Sequence, residues 1–365
     1  MNRDATTGPA RSPAPRARGL STLGHLTGRG ARDRGRLAHI CALVPRILAA
    51  EAGRWPRNGA RPGIARAELT ASGRAVVMLA SPGESPWAVI KVPLTAEAHR
   101  GLEREARVLA ALHADERLGG WRRLVPRPLA EGTVLGQPYR IESVVGGSEA
   151  GARTADEARR DVLSEAAEAI NILHRTTASV AWCDPRLAER WIDARIDDLA
   201  RRGERNHRRM ASRLDELRAE LHDAVSGRAF STSWIHGDYW LGNVLCSPAS
   251  ATIGGIVDWD AAGSEELAIH DVLHLLFYTR RLRTGRELGE LVRGQLRRDR
   301  WSPRERHLLE RYGAWCHDGS LSERHAVLIY WLRHAAFHIR QQVHPPPYRH
   351  RIWEMRNVQP VLTAL

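Results

Sequence analysis

Three oxygen-bearing side chains, Asp238, Asn243 and Asp258, are the densest chemical signal in this 365-residue chain. They stand in His236-Gly237-Asp238-Tyr239-Trp240-Leu241-Gly242-Asn243 and, further on, in Ile256-Val257-Asp258-Trp259-Asp260. Asn243 follows Asp238 by five positions, and Asp258 follows Asn243 by fifteen. Moving a phosphoryl group from a nucleotide to an alcohol needs such a set. One carboxylate orients the acceptor hydroxyl and takes its proton. Hard oxygen ligands, here a carboxamide and a second carboxylate, hold the magnesium that neutralises the phosphates. Asp, Asn and Gly are also ordinary turn residues, so a plain polar strand end is the competing reading. The flanks favour chemistry: 233–236 and 253–257 read as short buried strands that would deliver these groups at strand ends.

A second signal is independent of the first. The chain has 55 basic residues, and Lys91 is the only lysine among them. Arginine supplies every other positive side chain, so a lone ammonium marks a place where a guanidinium will not serve. Lys91 lies in the apolar, strand-like run Trp87-Ala88-Val89-Ile90-Lys91-Val92. A helix is expected over 96–113, with Leu102, Ala106, Leu109 and Leu112 on one face.

These residues together resemble a known family. The Lys91 run resembles the Val-Ala-Ile-Lys signature of the third kinase strand, and the Asp238-to-Asn243 interval equals that of the kinase catalytic loop. His-Gly-Asp, four residues and Asn, followed by Asp-Trp, resembles the aminoglycoside phosphotransferase and choline kinase group. That group is the small-molecule branch of the protein-kinase-like fold, and the resemblance covers about residues 60–340. It implies an α+β, two-lobed architecture. Residues 37–145 would form a small β-sheet lobe with one helix that binds nucleotide, and 146–365 a larger, mostly helical lobe for catalysis and the acceptor. It also implies roles. Lys91, held by Glu105 (Glu103 points to another face), would reach the phosphates, and Ser72 and Gly73 would cradle them. Backbone groups of Glu142, Ser143, Val144 and Val145 would bind the purine. Asp238 would be the base, Asn243 and Asp258 would hold Mg2+, and Asp260 would assist near the metal. Asp271 would buttress the catalytic loop, a plain helix-start carboxylate being its alternative. ATP is the implied donor, with GTP as the other choice, and the acceptor is a small molecule bearing a hydroxyl. Two departures stand out. The glycine loop is poor, with only Ser72-Gly73-Arg74 between the first two strands, and roughly sixty extra residues precede the family's usual start.

Composition fits a two-lobed globular enzyme, with 43% hydrophobic residues. The four cysteines, Cys41, Cys183, Cys246 and Cys316, stand far apart, which argues against a disulfide framework or zinc site and suits a cytoplasmic setting. No apolar run approaches the ~20 residues of a membrane span. The net charge of +13 suggests nucleic acid until it is divided along the chain. Residues 1–66 carry 13 basic and 3 acidic side chains, 67–150 carry 10 of each, and 151–365 carry 32 and 29. The excess sits at the start. Residues 1–36, rich in Arg, Pro, Gly and Ala, read as a disordered basic arm. A helix over 37–52 should pack on the first lobe through Leu37, Ile40, Cys41, Val44, Ile47 and Leu48. Neither nucleic acid nor membrane is an expected partner, and the oligomeric state is left open.

Along the body, 65–92 reads as a three-strand meander, 133–135 and 138–145 as two more strands, and Gly146-Gly147 as a break. Thr154 and Glu157 form a capping box. Helices are expected near 185–202, 207–226, 265–285, 304–316 and 321–342. His270 with His274, and His334 with His338, have the spacing of helical metal pairs but lack the glutamate of a zinc-protease helix, and metal binding there is not expected. Cys316-His317-Asp318 cannot converge on one point from a single helix. His236 reads as a loop-stabilising group. Trp191, Trp315, Trp331 and Trp353 read mainly as core, with one or two lining an acceptor pocket. Two readings of other classes stand beside the kinase: a pseudo-enzyme that binds nucleotide as a regulatory ligand, and a polyanion-binding protein that works through its basic arm.

Overall fold

A computed structural model describes residues 30–53, 62–150, 156–201, 207–247, 251–313, 321–341 and 347–365. The arm before residue 30, Thr154 of the expected capping box, and Trp315 to Asp318 lie outside the described residues.

The first lobe is a five-stranded antiparallel sheet in the order β1-β2-β3-β5-β4. Its strands are β1 (Gly63–Leu69), β2 (Arg74–Ala80), β3 (Ala88–Pro93), β4 (Pro128–Val134) and β5 (Gln137–Ser143). Alternation sorts their side chains. Val77, Leu79, Ile90, Val92 and Ile141 point to one face and meet Ile40, Leu43, Val44 and Ile47 of α1 (Gly30–Ala50) in a single apolar cluster. The helix expected to pack on this lobe does so, and it begins seven residues before its apolar spacing suggests. Lys91, one step out of phase with Ile90, points to the other face, towards α2 (Ala96–Ala114). Thr95 caps that helix by accepting from Ala98 N at 3.1 Å. Leu102, Leu109 and Leu112 are buried on α2 as its spacing predicts, and so is Glu105.

The second lobe is mostly helical. Its main helices are α3 (Asp156–Thr176), α6 (His207–Val225), α7 (Ile269–Thr284), α8 (Leu288–Arg297), α9 (Pro303–Tyr312), α10 (Glu323–Gln341) and α11 (Pro347–Asn357), with the short α4 (Pro185–Ala188), α5 (Ala194–Ala200) and α12 (Gln359–Leu362). Two small sheets are set among them. One orders β6 (Ser148–Glu149), β9 (Val244–Cys246) and β10 (Ile253–Ile256) as β10-β9-β6. The other orders β7 (Ser179–Trp182), β8 (Ala229–Ile235) and β11 (Gly263–Leu267) as β11-β8-β7. Two expectations need correction. The helix expected from 265 starts at Ile269, because Glu266 and Leu267 pair with Ser233 and Thr232 as strand. The helix expected over 185–202 is broken into α4 and α5 by a π turn over Glu189–Asp193.

Candidate active site

The site is built at the ends of β3, β8 and β10, where α2 and α7 meet the sheet edges. Lys91 Nζ lies 2.6 Å from Glu105 Oε1 on α2, the pair the resemblance implies. It also lies 2.8 Å from Glu142 Oε2 on β5. Burial alone would lower the lysine's pKa, but the two carboxylates outweigh it and hold Lys91 charged. Glu105 is correspondingly held below its ordinary value: burial would raise it, and Lys91 and Arg74 reverse that. Glu142 receives less help. Burial and the neighbouring Glu105 push its carboxyl up to about 7 against the pull of Lys91.

The end of β5 and the residues after it are tied down locally. Glu142 meets the lysine through its side chain. Ser143 N donates to Arg127 O at 2.9 Å and Val144 N to Trp87 O at 3.0 Å. Those two amides are engaged within the lobe.

Asp238 follows β8 across Gly237, whose φ of +81° suits glycine. A Cβ at Gly237 would also lie 2.3 Å from Ala261 O and 2.7 Å from Arg333 Nη2. Asp271, near the start of α7, fastens this loop: its carboxylate accepts from His236 N at 2.8 Å and Gly237 N at 2.7 Å. His174 Nε2 completes it at 3.0 Å. The buttressing contact expected of Asp271 is present. His236 is buried, with Nε2 2.9 Å from Val257 O and its ring 4.5 Å from that of Trp259, so it joins the Asp238 loop to the segment after β10 that carries Asp258.

Asn243 Nδ2 donates to Asp238 O at 2.9 Å and to Asp238 Oδ2 at 3.2 Å. Both contacts use the amide nitrogen, so the carboxamide oxygen is the atom that could face a cation. Asp258 sits in the left-handed region at φ 63° and ψ 62°, and its side chain is 52% exposed to the cleft. A strained backbone that turns a carboxylate outward fits a metal ligand. Lys91, Glu105, Arg74 and Asp238 all lie within electrostatic reach of Asp258. Magnesium is usually held by one or two carboxylates and by substrate phosphates, and Asp258 with Asn243 suits that pattern. Among the described residues no group of three His, Cys, Asp or Glu forms a fuller metal cage, the two histidine pairs included. Ser72 and Gly73 lie in the β1–β2 turn, where Gly73 N donates to Thr70 O at 3.1 Å. Asp260 Oδ2, expected near the metal, is 2.5 Å from Arg74 Nη2.

Three contributors were not legible in the sequence. Arg74 reaches Asp260, Glu105 and the neighbourhood of Asp258 from the first residue of β2. In a chain with so many arginines nothing marks it out. His274 Nε2 lies 2.9 Å from Asp238 Oδ1, and its Nδ1 is 3.1 Å from the Tyr330 hydroxyl. Burial would raise the Asp238 carboxyl, but His274, with His334 and His236 behind it, holds it below the ordinary range. The only available signal for His274 was its place one helical turn beyond Asp271. Arg333 on α10 donates to Gly237 O at 3.2 Å and to Ala261 O at 2.6 Å, bracing the Asp238 loop.

Beside Asp238 the cleft is lined by rings: Tyr278 stacks on His274 at 4.1 Å, its hydroxyl is 3.3 Å from His334 Nε2, and Trp240 lies 5.8 Å from it. Trp191 and Trp331 are core, whereas Trp353 stacks on His338 at 4.3 Å.

Solved structures share this architecture. A candidate aminoglycoside phosphotransferase from Ralstonia eutropha JMP134 matches with a TM-score of 0.56 at 14% identity, over 88% of this chain and 97% of its own. A thermostable mutant of aminoglycoside phosphotransferase APH(4)-Ia, in ternary complex with AMP-PNP and hygromycin B, matches at 0.56 and 13%, over 88% and 98%. Plasmodium vivax ethanolamine kinase matches at 0.51 and 11%, over 80% of both chains. At such identities the likeness is one of fold. No curated protein matches the chain in sequence. The family model of the phosphotransferase enzyme family matches residues 66–309, and the chain belongs to that family.

Proposed function

We propose that this small-molecule kinase moves the γ-phosphate of ATP, or of GTP as the alternative donor, onto a hydroxyl of a sugar, amino alcohol, aminoglycoside or related metabolite. The observation that carries the reading is the meeting of the Lys91–Glu105 pair with Asp258, and of Asp258 with the Asp238–Asn243 pair, in one cleft. Lys91 would orient the phosphates as a compact charge fixed by two carboxylates. Asp238, ionised and held by Asn243 and His274, would align the acceptor hydroxyl and take its proton as the new O–P bond forms. Asn243 and Asp258 would hold magnesium, which when bound spreads the charge of the phosphates. The small difference between 32 basic and 29 acidic residues over 151–365 gives a polycation no acidic excess to meet, which favours a metabolite over an aminoglycoside.

The test is nucleotide consumption in magnesium across a panel of sugars, amino alcohols and aminoglycosides. Acceptor-dependent turnover is expected. In Asp238→Asn it should fall by about 10²–10⁴-fold, the usual contribution of one positioned base, with nucleotide affinity close to that of the parent. Nucleotide binding without turnover on any acceptor would favour the regulatory pseudo-enzyme instead.

A further inference from the structure

A glycine-rich turn grips phosphates with free backbone amides, and the β1–β2 turn here has spent most of its own. Thr70 N donates to Arg74 O at 2.8 Å, Gly73 N to Thr70 O at 3.1 Å and Arg74 N to Thr70 Oγ1 at 3.2 Å. Gly73 O accepts from Leu94 N at 2.9 Å, and a Cβ on Gly73 would lie 3.2 Å from Thr95 Oγ1. The turn is closed on itself and pinned against the start of α2.

A second buried cation stands beside it. Arg74, only 4% exposed, places Nη2 at 2.5 Å from Asp260 Oδ2 and Nη1 at 3.4 Å from Glu105 Oε2. Nη1 is also 4.0 Å from Asp258 Oδ1. Gly101 leaves the room for this, since a Cβ there would lie 2.4 Å from Nη2. Arg74 Nε is buried and has no hydrogen-bond partner among the described residues. A buried guanidinium with an unspent donor costs free energy in that form, and its planar fork matches phosphate oxygens. Glu105 stands between the two cations, with Lys91 on Oε1 and Arg74 on Oε2. Glu105 thus bridges the two cations near Asp258.

We propose that Arg74 is a phosphate-binding residue of this site and supplements a turn with few amides left to give. Asp260 and Glu105 each engage one terminal nitrogen of its guanidinium, Asp260 acting as a positioning residue, and the N–H groups they do not use are left for phosphate oxygens. This rests on the nucleotide reading above.

The experiment is calorimetric binding of adenosine and of the magnesium complex of a non-hydrolysable ATP analogue (AMP-PNP) to parent, Arg74→Gln and Arg74→Lys, with melting temperatures alongside. Loss of a charge-assisted hydrogen bond should weaken the triphosphate about tenfold or more in Arg74→Gln. Adenosine affinity should stay at the parental level, and Arg74→Lys should recover part of the loss. Unchanged triphosphate affinity, or parallel losses for adenosine and triphosphate, would overturn the assignment and leave Arg74 a strut between the lobes. If Arg74→Gln does not fold, Arg74→Lys carries the comparison, and its loss must again be confined to the triphosphate. A parent protein that binds neither ligand would overturn the nucleotide reading and this assignment together.

Discussion

Lys91 sits between two carboxylates at 2.6 and 2.8 Å, 6% exposed, on a strand whose alternate residues belong to the core. A single ammonium can serve both acids because it is a compact charge with three donors. A guanidinium is broader and planar, and it would have to push Glu105 or Glu142 aside. Lys91→Arg keeps the charge and removes that fit. Misplacing a reacting group by about 1 Å can cost on the order of a hundredfold. Turnover in Lys91→Arg should therefore fall by about tenfold or more, while circular dichroism reports a folded protein. Parental kinetics at both limiting and saturating nucleotide would show that Lys91 is not the phosphate lysine. The same reasoning shows what a sequence can disclose at this scale. Lys91 stands out as the one lysine among 55 basic residues, and Glu105, Asp238, Asn243 and Asp258 stand out by their spacing. Arg74 is as central to the charge balance, yet one arginine among 54 gives no signal, and only its burial against Gly101 reveals it.

At the scale of elements, the Asp238 loop is held from three sides. Asp271 on α7 takes its amides, His236 ties it to the strand before Asp258, and Arg333 on α10 takes the carbonyls of Gly237 and Ala261. Arg333 Nε is also 3.7 Å from the buried Glu266, which Arg195 binds at 2.6 Å. Arg333→Met would keep much of the volume and leave two carbonyls without their donor. Each unsatisfied buried acceptor costs about 1–3 kcal/mol, so a loss of roughly 2–6 kcal/mol is expected for the two. Urea denaturation measures it, and a change under about 0.5 kcal/mol, the usual range of a surface substitution, would mean the brace is idle. Turnover should fall as well, because Gly237 neighbours Asp238. Elements with regular apolar spacing, such as α2 and α10, were readable. β11 was not: Gly263-Ser264-Glu265-Glu266-Leu267 has no alternating pattern and becomes strand through pairing with β8, a contact distant in sequence. The π turn over Glu189–Asp193 is equally silent, since its residues would fit an unbroken helix.

For the whole molecule, the question is how the surplus of positive charge relates to the folded body. Residues 1–66 hold 13 basic and 3 acidic side chains, but only five arginines and one aspartate of these precede α1. The helix itself is divided along its length. Arg34 and Arg36 are exposed in its first half, whereas Ile40, Leu43, Val44 and Ile47 are buried against the sheet. Glu51, just past its end, accepts from the Tyr139 hydroxyl at 2.7 Å. This segment is therefore part of the first lobe, and a truncation placed inside it should behave unlike one placed before it. Deleting residues 1–29 should leave melting temperature and turnover at the parental level, because the apolar contacts of α1 begin at Ile40. Deleting residues 1–50 uncovers one face of the sheet. Truncating even one such buried Leu or Ile costs about 2–5 kcal/mol, so the longer deletion should unfold or aggregate the first lobe. Charge follows the same boundary. Any binding to heparin or DNA should weaken steeply with salt and diminish, without vanishing, in the shorter deletion, because the arginines of α1 and of 54–66 remain. A shorter deletion that lowered the melting temperature by several degrees would show that residues 1–29 pack on the body. A longer deletion that melted like the parent would show that α1 is dispensable to the lobe it covers.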